Sequence, residues 1–434
     1  MAPELGFISV AVLILLLALR VPIAVSLGGV SLVGIYYMLG WDPMLGAAGT
    51  LTFKFVASWQ LSAIPLFIFM GAISANSGLV ASIYNAARLW LSGLPGGLAV
   101  ATNFASAGFA AASGSSLATA AAMSRLSIPE MLRARYQPEL ASAVVAASGT
   151  LGSLIPPSIL LIIYGLFAEQ SIGDLLLAGV LPGLFTAVVY AVMVIVRCKR
   201  NPALAPPLPD RPSMHDRMAA LAGVWPLPLL ILAVIGAIYS GLATATEAAA
   251  MGCIAALIIA LLMRRLTLRV FRDSIVETLR TTGMIFFIAL GAVLFTKFLA
   301  LSGMPGTISS FATSAGSNPV MLLIVIGVIY LFLGMFLDPL GVMLLTLPIF
   351  LPLIEAARFD LIWFGVIVVK FIEIGLITPP VGLNAFVVKG AMGSELELGT
   401  IFRGLTWFIG AEIFIVIVLC VFPDIVTILP AIAN

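Results

Sequence analysis

Charge is what this chain lacks most. Only 9% of its 434 residues are Asp, Glu, Lys or Arg, against 62% hydrophobic, and the mean hydropathy is +1.20. Soluble domains carry about 25% charged residues, so a soluble particle of this length could not cover its surface with polar groups. Lipid is therefore the solvent for most of the chain, and disorder is excluded by the same composition. Histidine is nearly absent. The single His215 lies in a polar stretch, which excludes a histidine-based metal site and any Ser-His or Cys-His nucleophile. The three cysteines, Cys198, Cys253 and Cys420, lie far apart in or beside apolar runs, with no metal-ligand spacing and no disulfide framework. Net charge is only +2, with no basic face, so nucleic acid is not a partner. No Gly-Lys dipeptide occurs, so an ATP-driven pump would lack its phosphate loop. His-Glu-x-x-His is missing too, and no enzyme is expected.

What is present is a series of apolar runs. A spanning helix needs roughly 20 mostly apolar residues. The runs that fit are Leu5–Leu19, Ile23–Leu39, Leu61–Ser77, Leu175–Val196, Trp225–Tyr239, Ala248–Met263, Met284–Leu301, Val320–Phe336, Ile362–Leu376 and Trp407–Phe422. Leu5–Leu19 is followed by Arg20 and another apolar run, not by a small-residue cleavage site. Leu51–Trp59 and Val80–Leu91 mix polarity with Trp, Lys or Arg and read as amphipathic arms in the interface. Ala105–Met123 and Leu331–Ile354 are apolar but broken by Gly, Ser, Asp and Pro. They read as re-entrant hairpins, because irregular backbone at membrane depth is tolerated only where protein or a polar cavity receives its groups.

Basic residues orient the chain. With the N-terminus outside, Arg20, Arg88, Arg125, Arg133 and Arg135 fall inside. So do the clusters Arg197–Arg217 and Arg264–Arg280, with Lys389 and Arg403. Only Lys54 and Arg358 fall outside, while Lys297 and Lys370 lie within spans.

The long polar segment Arg197–Arg217 divides two similar halves. At one constant offset Pro156-Pro157 falls on Pro379-Pro380, Gly152 on Gly375, Pro129 on Pro352 and Ser115 on Asp338. Ser171-x-x-Asp174 falls on Ser394-x-x-Glu397, both read as capping boxes that start equivalent helices. In the charge-based threading the first spans of the halves run in opposite directions. The expected fold is an all-α polytopic membrane protein of two inverted-topology repeats, each with a re-entrant helical hairpin. The first repeat covers 1–196, a cytoplasmic linker 197–218 and the second repeat 219–434.

Inverted repeats with broken helices mark a secondary transporter. Four segments carry the polar groups: Ala112–Ser116, Ser148–Pro157, Leu337–Pro339 and Glu373–Asn384. Proline removes a donor and frees upstream carbonyls, and glycine permits the bend. Freed carbonyls and hydroxyls are hard oxygen ligands for an alkali cation, and the helix N-termini beyond the breaks face an anion. The cation is expected at Ser113, Gly114, Ser115, Gly149, Thr150 and Gly152, and at Asp338, Gly375, Thr378 and Asn384. The anionic substrate is expected at Ser116, Ser153, Pro157, Asp338, Pro380 and Asn384, with Ser116 also a candidate for the cation. Close helix packing is the plainer reading of Ser113–Ser116, and capping a freed amide that of Asp338. Lys370 and Glu373 share a helix face inside a span, which suits function or mutual pairing. Lys297 and Glu412 are left to pair across helices or to face a partner subunit, and Glu247 to complete a helix start with Thr244 or Thr246.

At these residues the sequence resembles the large membrane subunit of tripartite ATP-independent periplasmic (TRAP) transporters. The matches are Pro65-Leu-Phe-Ile-Phe-Met-Gly71, Ser113-Gly-Ser-Ser-Leu-Ala-Thr-Ala-Ala-Ala122, Ile128-Pro-Glu-Met131 and Gly149-Thr-Leu-Gly-Ser-Leu-Ile-Pro-Pro-Ser158. They continue with Thr246-Glu-Ala-Ala-Ala250, Leu337-Asp-Pro339 and Ile377-Thr-Pro-Pro-Val-Gly-Leu-Asn384, in the family's order over nearly the whole chain. Ser124 departs from a common Gly, and Ala245 from a common Pro. The resemblance implies sodium ions as coupling ions, no organic cofactor, and an elevator-type transport domain moving against a scaffold. It implies a small four-helix membrane subunit and a periplasmic substrate-binding protein as partners, beside membrane lipid. It implies a bacterial inner-membrane location and an organic-acid substrate: a C4-dicarboxylate, keto acid, sugar acid or sialic acid. The rival is a stand-alone sodium-coupled dicarboxylate carrier of the same architecture. The arms Leu51–Trp59 and Met304–Phe311, and at the opposite face Val80–Leu91 and Val270–Leu279, are expected to brace the moving domain. The small residues Gly28, Gly29, Gly34, Ala248, Ala249 and Gly252 are expected to admit the small subunit.

Overall fold

A computed structural model describes residues 3–207, 212–307, 310 and 319–433, and no strand occurs among them. The first half runs through α1 (Pro3–Ala18), α2 (Ile23–Leu39), α3 (Trp41–Gly46), α4 (Thr52–Val56), α5 (Ala63–Asn76) and α6 (Leu79–Leu91). It continues with α7 (Gly97–Ser113), α8 (Ser116–Arg133), α9 (Pro138–Gly149), α10 (Ile159–Phe167) and α11 (Ile172–Arg200). After a short α12 (Met214–Ala222) come α13 (Pro226–Ile231), α14 (Ala237–Tyr239), α15 (Ala245–Leu262) and α16 (Leu268–Ser302). Then follow α17 (Pro319–Gly334), α18 (Pro339–Ala356), α19 (Leu361–Ile377), α20 (Leu383–Met392), α21 (Leu398–Val421) and α22 (Asp424–Ala433). Seven helices among the described residues are long and apolar enough to cross a membrane. Three runs read as spans, α1, α2 and α17, form apolar helices of 16, 17 and 16 residues.

The breaks fall where local chemistry demands them. The chain bends between α7 and α8 at Gly114, whose φ of +63° suits glycine. Ser115 then caps α8, its Oγ accepting from Ala118 N. Between α9 and α10 a short 3₁₀ turn, Thr150–Ser153, leads into a cis Pro156-Pro157 bond, and α19 ends before a cis Pro379-Pro380 bond. Thr244 and Glu247 form a reciprocal capping box that opens α15, Glu247 Oε2 accepting from Thr244 N at 2.8 Å.

Several boundaries differ from the sequence reading. The first arm starts earlier and is one helical run, α3, a π-turn over Ala47–Leu51 and α4. Val270–Leu279 is no separate arm, because it and Met284–Leu301 form the single 35-residue α16. No proline lies between them to end the helix. The Ser394–Glu397 box does not form. Glu397 is the N-cap of α21 and makes no side-chain cap bond. Lys389 Nζ instead donates to Gly393 O and Leu396 O, holding that loop in another shape. Of Met304–Phe311, residues 308, 309 and 311 lie outside the described residues, as do 208–211 of the linker.

Helices pack across the halves. α2 lies on α16 and α5 on α15, while α9 lies on α21 and α20 on both α8 and α9. The small residues proposed for a partner are largely used here. Gly34 packs on Phe298, Gly252 on Met70 and Val234, and Gly28 approaches Gly291. Ala248 and Ala249 are fully buried. Only Gly29 has open space beside it. Close helix approach is spent on folding this chain, and the face left outward is large and apolar, with Val33, Tyr37, Ile254 and Leu262.

Candidate cation and substrate site

The bend of the first hairpin presses into the first broken helix. Gly114 O accepts from Ile159 N at 3.3 Å. A Cβ on Gly114 would lie 2.3 Å from Pro157 O, and one on Gly152 would lie 2.5 Å from Ser115 O. Ser113 Oγ and Thr119 Oγ1 are 3.0 Å apart, and Thr119 Oγ1 donates to Ser115 O at 2.8 Å. Ser116 and Ser153 hydroxyls meet at 2.9 Å. Thr150 Oγ1 donates back to Ala147 O at 2.6 Å. Behind them Asn103 Nδ2 donates to Ala187 O at 2.7 Å and Ser148 Oγ to Asn103 Oδ1 at 3.1 Å, tying α7, α9 and α11 together. The structure thus gathers Ser113, Gly114, Ser115, Ser116, Gly149, Thr150, Gly152, Ser153 and Pro157 around one bend.

The second half builds a similar junction with different chemistry. Asp338 caps α18, its Oδ1 accepting from Gly341 N at 2.9 Å. This is the capping role that the sequence left open beside a ligand role. Gly382 N donates to Met335 O at 3.3 Å, joining the second bend to the second break. A Cβ on Gly375 would lie 2.7 Å from Gly334 Cα, so these backbones touch. Thr378 Oγ1 donates to Ile374 O at 2.6 Å. Pro380 is exposed. No hydrogen bond joins Asp338 or Pro380 to the first group among the described residues.

Two second-half side chains cross to the first group. Asn384 is fully buried and donates from Nδ2 to Ala146 O on α9 at 3.0 Å. Glu373 accepts on Oε1 from Ser116 Oγ at 2.9 Å. The Ser153 hydroxyl lies 2.9 Å from Ser116 Oγ and also faces the Glu373 carboxylate, so both serines converge on it.

The charges pair differently from the spacing on one helix. Lys370 and Glu373 share a face of α19 but do not form an ion pair. Lys370 pairs with Glu412 on α21 and donates to Thr186 Oγ1 on α11 at 3.2 Å. Glu412 also accepts from the Tyr190 hydroxyl. Buried ions need both a counter-charge and hydrogen bonds, and only the neighbouring helices supply all of them. Lys297 is exposed and makes no ion pair among the described residues. It lines an apolar cleft with Phe55, Phe167 and Val293. Glu373, which the sequence left between a functional role and pairing with Lys370, instead reaches Ser116 of the first group. Its signal was a carboxylate just upstream of a Pro-Pro break, outweighed by the lysine three residues away.

The family model described as "Tripartite ATP-independent periplasmic transporter, DctM component" matches residues 10–425. The C4-dicarboxylate TRAP transporter large permease protein of Pseudomonas aeruginosa is 37% identical over 364 residues, 83% of this chain and 84% of that protein. The sialic acid TRAP transporter large permease protein of Vibrio cholerae is 31% identical over 376 residues, 86% and 87% of the two chains. Among solved structures, the YdaH transporter of Alcanivorax borkumensis shares the fold at 15% identity, with a TM-score of 0.61 over 95% of this chain and 98% of that one.

Proposed function

This chain belongs to the DctM component of the tripartite ATP-independent periplasmic transporters, and from that premise we propose that it takes up an organic acid on a sodium gradient. As a large permease subunit it is a multi-pass protein of the inner membrane and a transporter, not an enzyme. In the reading proposed here its N-terminus is periplasmic, its two halves are inverted repeats, and its hairpins belong to an elevator-type domain. The substrate is delivered by a periplasmic binding protein, and a small membrane subunit completes the scaffold.

The observation that carries this reading is the junction of the first hairpin bend with the first broken helix. It collects carbonyls and hydroxyls of Ser113, Ser115, Ser116, Thr119 and Ser153 in a region whose side chains are almost entirely buried. Such oxygens suit a dehydrated sodium ion. The N-termini of α8 and α10 open at the same place; Ala118 N, Leu161 N and Ile159 N are taken by Ser115, Ser158 and Gly114, and the positive ends of the two helices favour a carboxylate. Relatives named for C4-dicarboxylate and sialic acid both handle carboxylates, which supports an organic acid of that range, keto acids and sugar acids included.

The test is reconstitution. Proteoliposomes containing this chain, the small subunit and the cognate binding protein should accumulate a labelled organic acid only with sodium outside. Omitting any one of the three proteins should abolish uptake. Robust sodium-driven uptake by this chain alone would replace the tripartite reading with a stand-alone carrier. Uptake indifferent to sodium would remove the coupling ion.

A further inference from the structure

α16 carries a cation that this chain leaves without a counter-charge. Lys297 lies one turn and a half before the end of the helix at Ser302, about 7.5 Å along its axis. It is exposed and makes no ion pair among the described residues. Residues 308–318, which follow in the sequence, contain no Asp or Glu that could supply one. The surroundings are apolar. Lys297 lines a cleft of about 430 Å³ whose walls come from three places. Leu51 and Phe55 belong to the first arm, Leu166 and Phe167 to the end of α10, and Val293 lies one turn before Lys297 on α16. The Phe55 and Phe167 rings are 6.4 Å apart, so the arm packs on α10 at this point. No carboxylate lines the cleft. An unpaired cation inside a span is costly. Lysine relieves the cost by laying its stem on apolar surface and holding the ammonium at the level of the lipid headgroups.

We propose that this cleft binds an anionic phospholipid, its phosphate on Lys297 and an acyl chain against Phe55, Leu166 and Phe167. Each part of the ligand answers one feature of the cleft. The net negative charge meets the one uncompensated ammonium, and the hydrocarbon covers the apolar wall. A soluble anion would satisfy only the first. The space also suits a branched amphiphile better than a single packed helix. A second cleft, of about 660 Å³, shares Thr296 and Ala300 with the first and reaches Pro348 and Pro352 of α18. Open space therefore flanks this face of α16 on both sides. In the orientation proposed above this end of α16 is periplasmic, which places the lipid in the outer leaflet. The lipid also touches an element of the transport site. α10 is tied to the first hairpin bend, Ile159 N donating to Gly114 O, so the headgroup bound at Lys297 bears on uptake.

The experiment uses the purified complex of this chain with its small subunit. Native mass spectrometry measures the phosphatidylglycerol it retains, with zwitterionic phosphatidylethanolamine as competitor. One lysine near an anionic headgroup is worth about fivefold in affinity, so Lys297→Met should lower retained phosphatidylglycerol by about that factor. Lys297→Arg, which keeps the charge, should retain it. Val293→Trp keeps the lysine but fills the cleft, and should also displace the lipid. Unchanged retention in Lys297→Met or in Val293→Trp overturns the site, as does a wild-type complex that does not prefer phosphatidylglycerol. Loss of the small subunit from Lys297→Met, with lipid retention unchanged, would assign the cleft to a carboxylate of that subunit and overturn the proposal as well. In proteoliposomes, replacing phosphatidylglycerol by phosphatidylethanolamine should slow uptake by the wild type and leave Lys297→Met unaffected. That second readout rests on the transport reading and lipid retention does not, so the two can fail separately.

Discussion

Gly152 faces the Ser115 carbonyl so closely that the smallest side chain collides with it. A Cβ there would sit 2.5 Å from Ser115 O and 2.8 Å from Thr119 Oγ1, backbone and a hydrogen-bonded hydroxyl that have little freedom to yield. Gly152→Ala must therefore push the hairpin bend away from the broken helix. Overpacking of this kind costs about 1–3 kcal/mol, and uptake in proteoliposomes should fall more than tenfold. Gly410→Ala, on the exposed face of α21 with nothing within 4 Å, should leave uptake near wild type. Equal losses in both variants would mean that the bend is not specially sensitive. The residues of this junction were legible in the sequence, because Gly, Ser and Pro disrupt helices through their own local chemistry. The charge pairs were not. Spacing put Lys370 and Glu373 on one face, but whether a neighbouring helix offers a better partner depends on which helix lies there. Glu412 and Ser116, on different helices, divided them.

At the scale of elements, the bends at Gly114 and before Pro339 and the breaks at the two Pro-Pro pairs fall where composition placed them, since each is announced by Gly or Pro. The run read as the span Val320–Phe336, however, forms the helix that leads into the second bend. The arms were less readable. α16 runs unbroken for 35 residues through a stretch whose amphipathic start and apolar end look like two elements. α22 was not foreseen, because the ten residues from Asp424 carry an internal Pro430. Lys54 on α4 and Arg272 at the start of α16 are both exposed. Under the inverted-repeat reading they lie on opposite sides of the membrane. Lys54→Cys should react with an impermeant maleimide added outside intact cells, and Arg272→Cys only after permeabilisation. Labelling of both from one side would contradict the topology and the inversion together.

For the whole molecule, the halves are separate in sequence but not in space. α2 with α16, α5 with α15, α9 with α21 and α8 with α20 are all pairs across the midpoint. Neither half buries its apolar faces alone. A chain cut between Pro207 and Pro212 should yield two fragments that co-purify when expressed together. Either fragment alone should fail to accumulate in membranes, read by affinity pull-down and blotting. Stable accumulation of one fragment would show that the interleaved contacts are dispensable. What the sequence determined by itself was the solvent, the helical class and the positions of the bends. Hydropathy, proline and glycine act on their own turn of backbone, whatever surrounds them. Tertiary structure alone decided that Gly34, Ala248 and Gly252 pack inside this chain, that Lys370 belongs to Glu412, and that Glu373 reaches a serine 257 residues away. Those outcomes depend on which helix surfaces meet once lipid has forced every backbone hydrogen bond inward. No local pattern in the chain encodes that meeting.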